Sequence, residues 1–437
     1  MKKYWRNTVD IKELKKRRLR VILINDSYEP VVDGVVRVME NYAREFKKQD
    51  VEFLILAPKY KKYDVANDEK LEFKPLRLRT ATIKWGGYEV FQTPLNIFQL
   101  KDIDAFNPDI IHVHCPFFSG KVALQLKKRY NIPIVCTFHT DFKQAIYNSC
   151  KLQWVADLSV KIMNEFFYKC DEVWTVSQIA SNWLRHDYKL KKSVRVIPNG
   201  TAFAYPDNAD LLRNKAISHF NIDTTKKNLL FVSRFVWEKN IKLLLDSYKA
   251  LIESDDSYSL TMVGGDWKAK EIIKYANRIG ILEKIKFTGV VKDPDILKGL
   301  YLSHDLFVFL STFDTFGLVT REAEALKCPV LAVENTASAE GIIDTINGFT
   351  VKENINDIVH KITDIFNYHY PFNAIKQEAT KIPISWSWVA KTSIKHYYRI
   401  IEKYYANQKI KKDKYYEREA IKGFKSPWWV YKNSPKE

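Results

Sequence analysis

The sequence predicts an α/β protein built from two Rossmann-like domains, and three observations carry that prediction. Its 437 residues exceed the length over which a single hydrophobic core keeps growing. Short apolar runs of strand length alternate with longer stretches of helical period, the pattern of a parallel sheet flanked by helices. The alternation that starts near residue 21 starts afresh near residue 228. The first domain is accordingly assigned to residues 1–200, joined by a returning C-terminal helix over 386–437, and the second to residues 201–385.

In the first half, residues 21–24 read as a buried strand, 35–48 as an amphipathic helix and 51–57 as the next strand. Gly34 lies in the loop that enters the helix, where a phosphate would sit in a Rossmann-like half. Residues 59–106 read as irregular, rich in Lys, Tyr and Phe, and are assigned to the acceptor side. Strands follow at 109–114 and 134–138 around a helix at 119–128, and the second of them ends in His139-Thr140-Asp141. Strands at 171–176 and 194–197 complete the sheet, and Pro198-Asn199-Gly200 forms a turn.

The second half opens with a strand at 228–233, then Arg234 and Lys239 before a helix from about residue 240 to 254. Two cations at one strand end suit a diphosphate. The strands 258–263 and 284–287 end in Gly264-Gly265-Asp266 and Thr288-Gly289-Val290, loops placed to bracket a nucleobase. The strand 306–310 runs into a polar turn with Asp314, and a helix is expected from Phe316-Gly317-Leu318. Its free N–H groups and positive dipole end suit an anion at the carboxyl edge of the sheet. Glu322 follows eight residues after Asp314, and with a helix start at Phe316 both carboxylates border one pocket. A strand at 330–333, a helix at 355–366 and a long helix from Trp386 complete the chain.

Composition narrows the class. No run of about 18 uncharged apolar residues occurs, so no membrane-spanning helix is expected. The basic start lacks the apolar core of a secretory signal. Five scattered cysteines form no CxxC, which points to reduced thiols in a cytoplasmic protein and away from a zinc site. The net charge of +18 implies attraction to polyanions, or simply a lysine-rich composition; no zinc-finger or RNP-type signature supports nucleic acid. Asp102-Ile-Asp104 spells a DxD without a matching context and reads as a surface feature. In the stretch 409–432, eight Lys or Arg residues stand beside three acidic ones, with Trp428 and Trp429. That mixture suits an anionic membrane surface, and equally a helix docked on the first domain.

The segment SxxDTFGLVxxEAxA…PVLA resembles the nucleotide-sugar signature of the family-four retaining glycosyltransferases, glycosyl transferases group 1. The resemblance extends over DSYEPVVDGVVRVMENYA, PDIIHVHCPFFSG, IPIVCTFHTDF and SRFVWEKNIKLLL, in the family's order, from about residue 20 to 405. Two departures stand out: Asp314 replaces the family's first Glu, shortening its reach by one methylene, and Lys327-Cys328 replaces the usual Gly before Pro329. The resemblance implies a GT-B fold, two Rossmann-like domains facing each other across a cleft. It implies a nucleoside-diphosphate sugar as donor, uridine preferred, and retention of anomeric configuration. Arg234, Lys239, the Gly34 loop and the N–H groups at Phe316, Gly317 and Leu318 then hold the diphosphate. Asp314 and His139 face the sugar, Glu322 the ribose, and Gly265 and Val290 the base, while His112 and His114 support the loop. No metal and no cofactor beyond the nucleotide sugar is implied, and the leaving phosphate takes the acceptor proton. The acceptor implied is a lipid or saccharide of the bacterial envelope, since diacylglycerol and polysaccharide glycosyltransferases share the first-loop motif. A cytoplasmic location follows, on the inner face of the membrane if the tail binds it. A non-catalytic sugar-nucleotide-binding subunit and a transferase acting on protein or nucleic acid are the alternatives.

Overall fold

The computed structural model describes residues 11–423 except Val32, 83–88, Pro94, Asn96 and His369. Seven strands form the first sheet: β1 (Arg20–Ile24), β2 (Glu52–Pro58), β3 (Leu76–Leu78), β4 (Ile110–Val113), β5 (Ile134–Phe138), β6 (Glu172–Thr175) and β7 (Val194–Val196). Their order is β3-β2-β1-β4-β5-β6-β7, all parallel. The second sheet comprises β8 (Lys227–Val232), β9 (Tyr258–Val263), β10 (Ile285–Gly289), β11 (Leu306–Phe309), β12 (Val330–Val333) and β13 (Phe349–Val351). It too is parallel, in the order β10-β9-β8-β11-β12-β13. Each sheet therefore reverses direction beside its first strand, which opens a crevice at the carboxyl ends.

The strands are apolar throughout because both faces are covered. In β1, Ile22 and Ile24 join one buried cluster and Val21 and Leu23 the other, as period-two alternation requires. The second cluster is closed by helix Gly34–Lys48 and by the long helix Trp386–Gly423. Tyr42 and Ser393 share a hydrogen bond of 3.0 Å across that seam, and Tyr404, Tyr405 and Gln408 all bond Asn131. The returning helix thus docks on the first domain at least as far as Gln408. Residues 424–432 of the basic tail lie outside the described residues.

One expectation needs correction. The described part of residues 59–106 holds regular elements: a 3₁₀ turn at Val65–Lys70, β3, an antiparallel pair of Thr80–Thr82 with Glu89–Phe91, and a helix at Ile97–Phe106. Three-residue edge strands carry too little periodicity to be read from sequence. The helix expected near Phe316-Gly317-Leu318 begins at Leu318, after Gly317 in the left-handed conformation, φ 74°. Among the described residues, no helix is long and apolar enough to cross a membrane.

Candidate active site

The carboxyl ends of the two sheets meet at a cleft of about 840 Å³. Gly34 reaches it after β1, His139 after β5, Arg234 and Lys239 after β8, Trp267 after β9, and the run Asp314 to Val319 after β11. The fold therefore brings together Gly34, His139, Arg234, Lys239, Asp314, Phe316, Gly317 and Leu318. Two cross-domain contacts frame it. Thr315 Oγ1 donates to the His139 carbonyl at 2.5 Å, and the Glu340 carboxylate accepts from the N–H groups of Gln178 and Ile179 at 2.9 and 3.2 Å. The latter sets a negative charge on the first turn of helix Gln178–His186, where the helix dipole favours it.

At the centre, Lys239 Nζ stands 2.5 Å from Asp314 Oδ1, both side chains mostly buried. Among the described residues, Asp314 Oδ2 is buried without a hydrogen-bond partner. A carboxylate oxygen left bare in this way carries a desolvation cost that a ligand hydroxyl would relieve. Arg234 is exposed, with only a loose 3.6 Å approach to Asp266, so its charge remains largely uncommitted. Lys239, expected as a diphosphate ligand, is held by Asp314.

Two helix starts flank this pair. Asp33 caps helix Gly34–Lys48 by accepting from Val36 N–H at 2.8 Å. Helix Leu318–Ala325 has no side-chain cap, which leaves its first N–H groups, on residues that line the cleft, for a ligand. Gly317 is required twice over: its φ is positive, and a Cβ would lie 2.8 Å from Ser338 Oγ. Gly264 allows the closest backbone approach, since a Cβ there would fall 1.8 Å from the Ser233 carbonyl.

His139 belongs to a buried histidine relay. His112 bonds Tyr397 OH at 2.6 Å and Thr137 Oγ1 at 2.7 Å, its ring lies tilted against His114 with centroids 4.1 Å apart, and His114 Nδ1 lies 2.9 Å from His139 Nε2. Burial drives all three below the ordinary histidine pKa, His139 to about 3, so the relay is neutral at physiological pH. The tautomers follow from one orphan. His114 Nε2 is buried without a partner, and a bare acceptor costs less there than a bare N–H donor. His114 therefore donates from Nδ1, His139 accepts at Nε2, and the His139 proton resides on Nδ1. On this tautomer His139, which lines the cleft, carries a hydrogen-bond donor at Nδ1.

Three expected residues lie apart from the cleft lining. Glu322 accepts from Tyr301 OH at 3.1 Å behind the lining, and burial of its carboxyl pushes its pKa up to about 7. Of the two carboxylates Asp314 lines the cleft and Glu322 does not, the helix starting at Leu318 rather than Phe316. Gly265 and Val290 pack together, a Cβ on Gly265 falling 3.0 Å from Val290 Cγ2, beside the lining rather than in it. Asp104 of the DxD is engaged by Arg129 at 2.6 Å and by Tyr130 OH at 2.5 Å.

Several site residues escape sequence reading. Asp26 accepts from the N–H groups of Phe118 and Ser119 at 3.1 and 2.5 Å and so caps the helix behind β4 from a distant loop. Asp141 caps helix Phe142–Cys150 and receives Tyr188 OH at 2.8 Å. Trp267, exposed beside the glycines after β9, carries no signal beyond its aromatic type. The histidine relay had one: His112 and His114 are two residues apart and so share a strand face.

Two parallel sheets in Rossmann order, their carboxyl ends opposed across a cleft and a C-terminal helix crossing back, define the GT-B class of glycosyltransferase. Residues 32–203 match Glycosyltransferase Family 4 and residues 213–381 match Glycosyl transferases group 1; the chain belongs to the family-four glycosyltransferases. It is 26% identical over 327 residues to the alpha-monoglucosyldiacylglycerol synthase of Streptococcus pneumoniae, covering 72% of this chain and 71% of that one. It is 22% identical over 365 residues to the same-named enzyme of Acholeplasma laidlawii, covering 79% and 87%. A GDP-mannose-dependent alpha-mannosyltransferase of Corynebacterium glutamicum is 24% identical over 359 residues, covering 80% and 78%. Among solved structures, sucrose-phosphate synthase from Thermosynechococcus elongatus superposes with a TM-score of 0.70 at 18% identity, covering 88% and 100%. An Anabaena protein in complex with UDP and glucose gives 0.66 at 15%, covering 87% and 99%. These likenesses show the fold.

Proposed function

We propose that the protein transfers a hexose from a nucleoside-diphosphate sugar, preferably a uridine one, to a lipid acceptor, with retention of anomeric configuration and without a metal ion. The observation that carries this reading is the Lys239–Asp314 pair, with Asp314 Oδ2 unpartnered, in an inter-domain cleft between two helix N-termini. Asp314 Oδ2 accepts a sugar hydroxyl while His139 Nδ1–H donates to another oxygen of the ring, which fixes the reacting carbon. As the bond from that carbon to the phosphate oxygen breaks, charge gathers on the diphosphate. Arg234, Lys239 and the N–H groups at Gly34 and Leu318 stabilise it in place. The acceptor oxygen bonds the same carbon from the same face, and its proton passes to the departing phosphate oxygen. His139, neutral and already accepting at Nε2, takes no part in that proton transfer.

A lipid acceptor is favoured over a saccharide because relatives from two organisms are named for a diacylglycerol glycolipid, and because the +18 charge draws the chain to anionic surfaces. The test offers the purified protein UDP-, GDP- and ADP-sugars with diacylglycerol in detergent micelles and with soluble saccharides, products being identified by mass spectrometry. A glycolipid formed from a UDP-sugar is expected. Binding of nucleotide sugar without transfer to any acceptor contradicts the reading and leaves a sugar-nucleotide-binding subunit.

A further inference from the structure

A second cavity, of about 440 Å³, lies at the edge of the second sheet opposite the cleft. His304 and Asp305, which lead into β11, line it, as does Lys327, which precedes β12. Helices Ala209–Phe220, Pro294–Ser303 and Phe372–Ala379 supply the rest of its lining. The first two of these pack closely, since a Cβ on Gly299 would fall 2.2 Å from the Leu212 carbonyl oxygen, so the wall they form keeps its shape. The volume falls within the roughly 300–1,000 Å³ of small-molecule sites.

Three cations line this cavity: Arg213, exposed, and Lys327 and Lys376, both half-buried. Among the described residues none of them has a carboxylate at ion-pair distance. Lys327 belongs to the pair that replaces the family's glycine before Pro329. Its φ of 59° is the left-handed conformation that favours glycine, and its Nζ stands 4.0 Å from the centre of the Tyr205 ring. A glycine there would bring no charge. Two carboxylates temper the three cations without cancelling them. Asp305 Oδ2 accepts from the Asn228 N–H at 2.8 Å, and Asp210 is exposed in the first turn of its helix, where the dipole favours it. A separate observation points to a ligand with hydroxyls. His304 is 4% exposed, and its Nδ1 lies 2.6 Å from the Leu300 carbonyl oxygen, which can only accept. Nδ1 therefore carries the proton, and Nε2 is a bare acceptor, buried without a partner among the described residues. Burial lowers the pKa of the ring to about 4, so it stays neutral. A ligand hydroxyl donating to Nε2 would relieve its desolvation cost.

We propose that this cavity is a regulatory site for a small phosphorylated polyol, a ligand distinct from donor and acceptor. Arg213, Lys327 and Lys376 meet the phosphate, while His304 Nε2 and the side-chain amides of Asn373 and Gln377, which share the lining, meet the hydroxyls. A phosphate monoester carries about −1.5 to −2 at pH 7 and so answers three cations better than the single charge of a lipid phosphodiester. The path to the cleft side of the domain is one side chain long. Tyr301 lines the cavity, and its hydroxyl donates to Glu322 Oε2 at 3.1 Å. An occupant that shifts Tyr301 moves the partner of the carboxylate assigned to the ribose, and in that respect the regulation rests on the reading above.

The experiment is titration calorimetry of the full chain with glucose 6-phosphate, glycerol 3-phosphate, inorganic phosphate, glucose and phosphatidylglycerol vesicles. It compares wild type, Lys327→Gly/Lys376→Gln, and Arg234→Ala in the cleft. Glycine suits the backbone at 327 and neither lysine is fully buried, so the double variant is expected to keep its melting temperature. Wild type is expected to bind the two phosphorylated polyols at least tenfold more tightly than inorganic phosphate or glucose. The double variant should lose at least tenfold in that affinity, and Arg234→Ala should keep it. Saturating glucose 6-phosphate should change the UDP dissociation constant at least threefold in wild type and leave it unchanged in the double variant. The assignment is overturned if neither ester binds, if the double variant binds them like wild type, or if Arg234→Ala loses them, which would place them in the cleft. Binding of the vesicles but not the soluble esters, or a UDP affinity indifferent to a bound ester, overturns it as well. Absence of any UDP binding would remove the functional reading while the ester titrations still decide the site.

Discussion

Asp314 and Lys239 depend on each other, and substituting either separates their roles. Asp314→Asn keeps a group to meet Lys239 but weakens the acceptor at Oδ2. Turnover is therefore expected to fall about 100-fold or more, with nucleoside-diphosphate affinity within about threefold of wild type, as for a lost transition-state contact. Lys239→Met strands a largely buried carboxylate, so the melting temperature should fall as well as the rate. A thermal melt and steady-state kinetics on both variants check this, and equal melting temperatures would argue against the pairing. Glu322 makes a second prediction. Its folded pKa is raised to about 7, so between the ordinary Glu value and 7 the folded chain holds a proton that the unfolded chain has released. It thus removes stability as pH rises through that window. If ribose hydroxyls bind its carboxylate, nucleotide binding must release a proton near pH 7, more than the Glu322→Gln variant releases. Calorimetry in two buffers of different ionisation enthalpy measures the difference; identical proton release in both proteins would detach Glu322 from the ribose.

At the level of elements, the two helix starts and the returning helix govern what the cleft can do. Arg234→Ala removes the uncommitted cation opposite the helix N-termini, and a loss of about 2–4 kcal/mol of transition-state stabilisation is expected. A rate within threefold of wild type would remove Arg234 from the diphosphate site. Tyr397 ties helix Trp386–Gly423 to His112 and thence to His139. Tyr397→Phe leaves a buried imidazole nitrogen without its partner, at a cost of about 1–3 kcal/mol, and should lower both melting temperature and turnover. Much at this scale was legible in sequence. The strand ends carrying Arg234, His139 and Asp314 are apolar runs that stop at polar turns, and those signals are local. What was not legible needs three dimensions. The Thr315 bond to the His139 carbonyl joins residues 176 positions apart, the Glu340 cap joins residues 162 apart, and neither leaves a trace in local pattern. The shared pocket of Asp314 and Glu322 depended on a helix start at Phe316, and the left-handed Gly317 that precedes a start at Leu318 is a backbone choice that spacing does not reveal.

Across the whole molecule, two domains supply different parts of one reaction site. The second contributes Arg234, Lys239, Asp314 and the uncapped helix start; the first contributes Gly34, His139 and helix Phe142–Cys150. Cross-domain contacts at Thr315 and Glu340 hold the halves closed in the described arrangement, and Thr315→Val should slow turnover more than it weakens binding of the nucleotide alone. The claim at the centre of this account is that the cleft transfers a hexose with retention. Proton NMR of the purified glycolipid formed from a UDP-α-hexose and diacylglycerol tests it most directly. The account predicts an α-glycoside from the wild-type protein. A β-glycoside, or free hexose with no glycolipid, would contradict it.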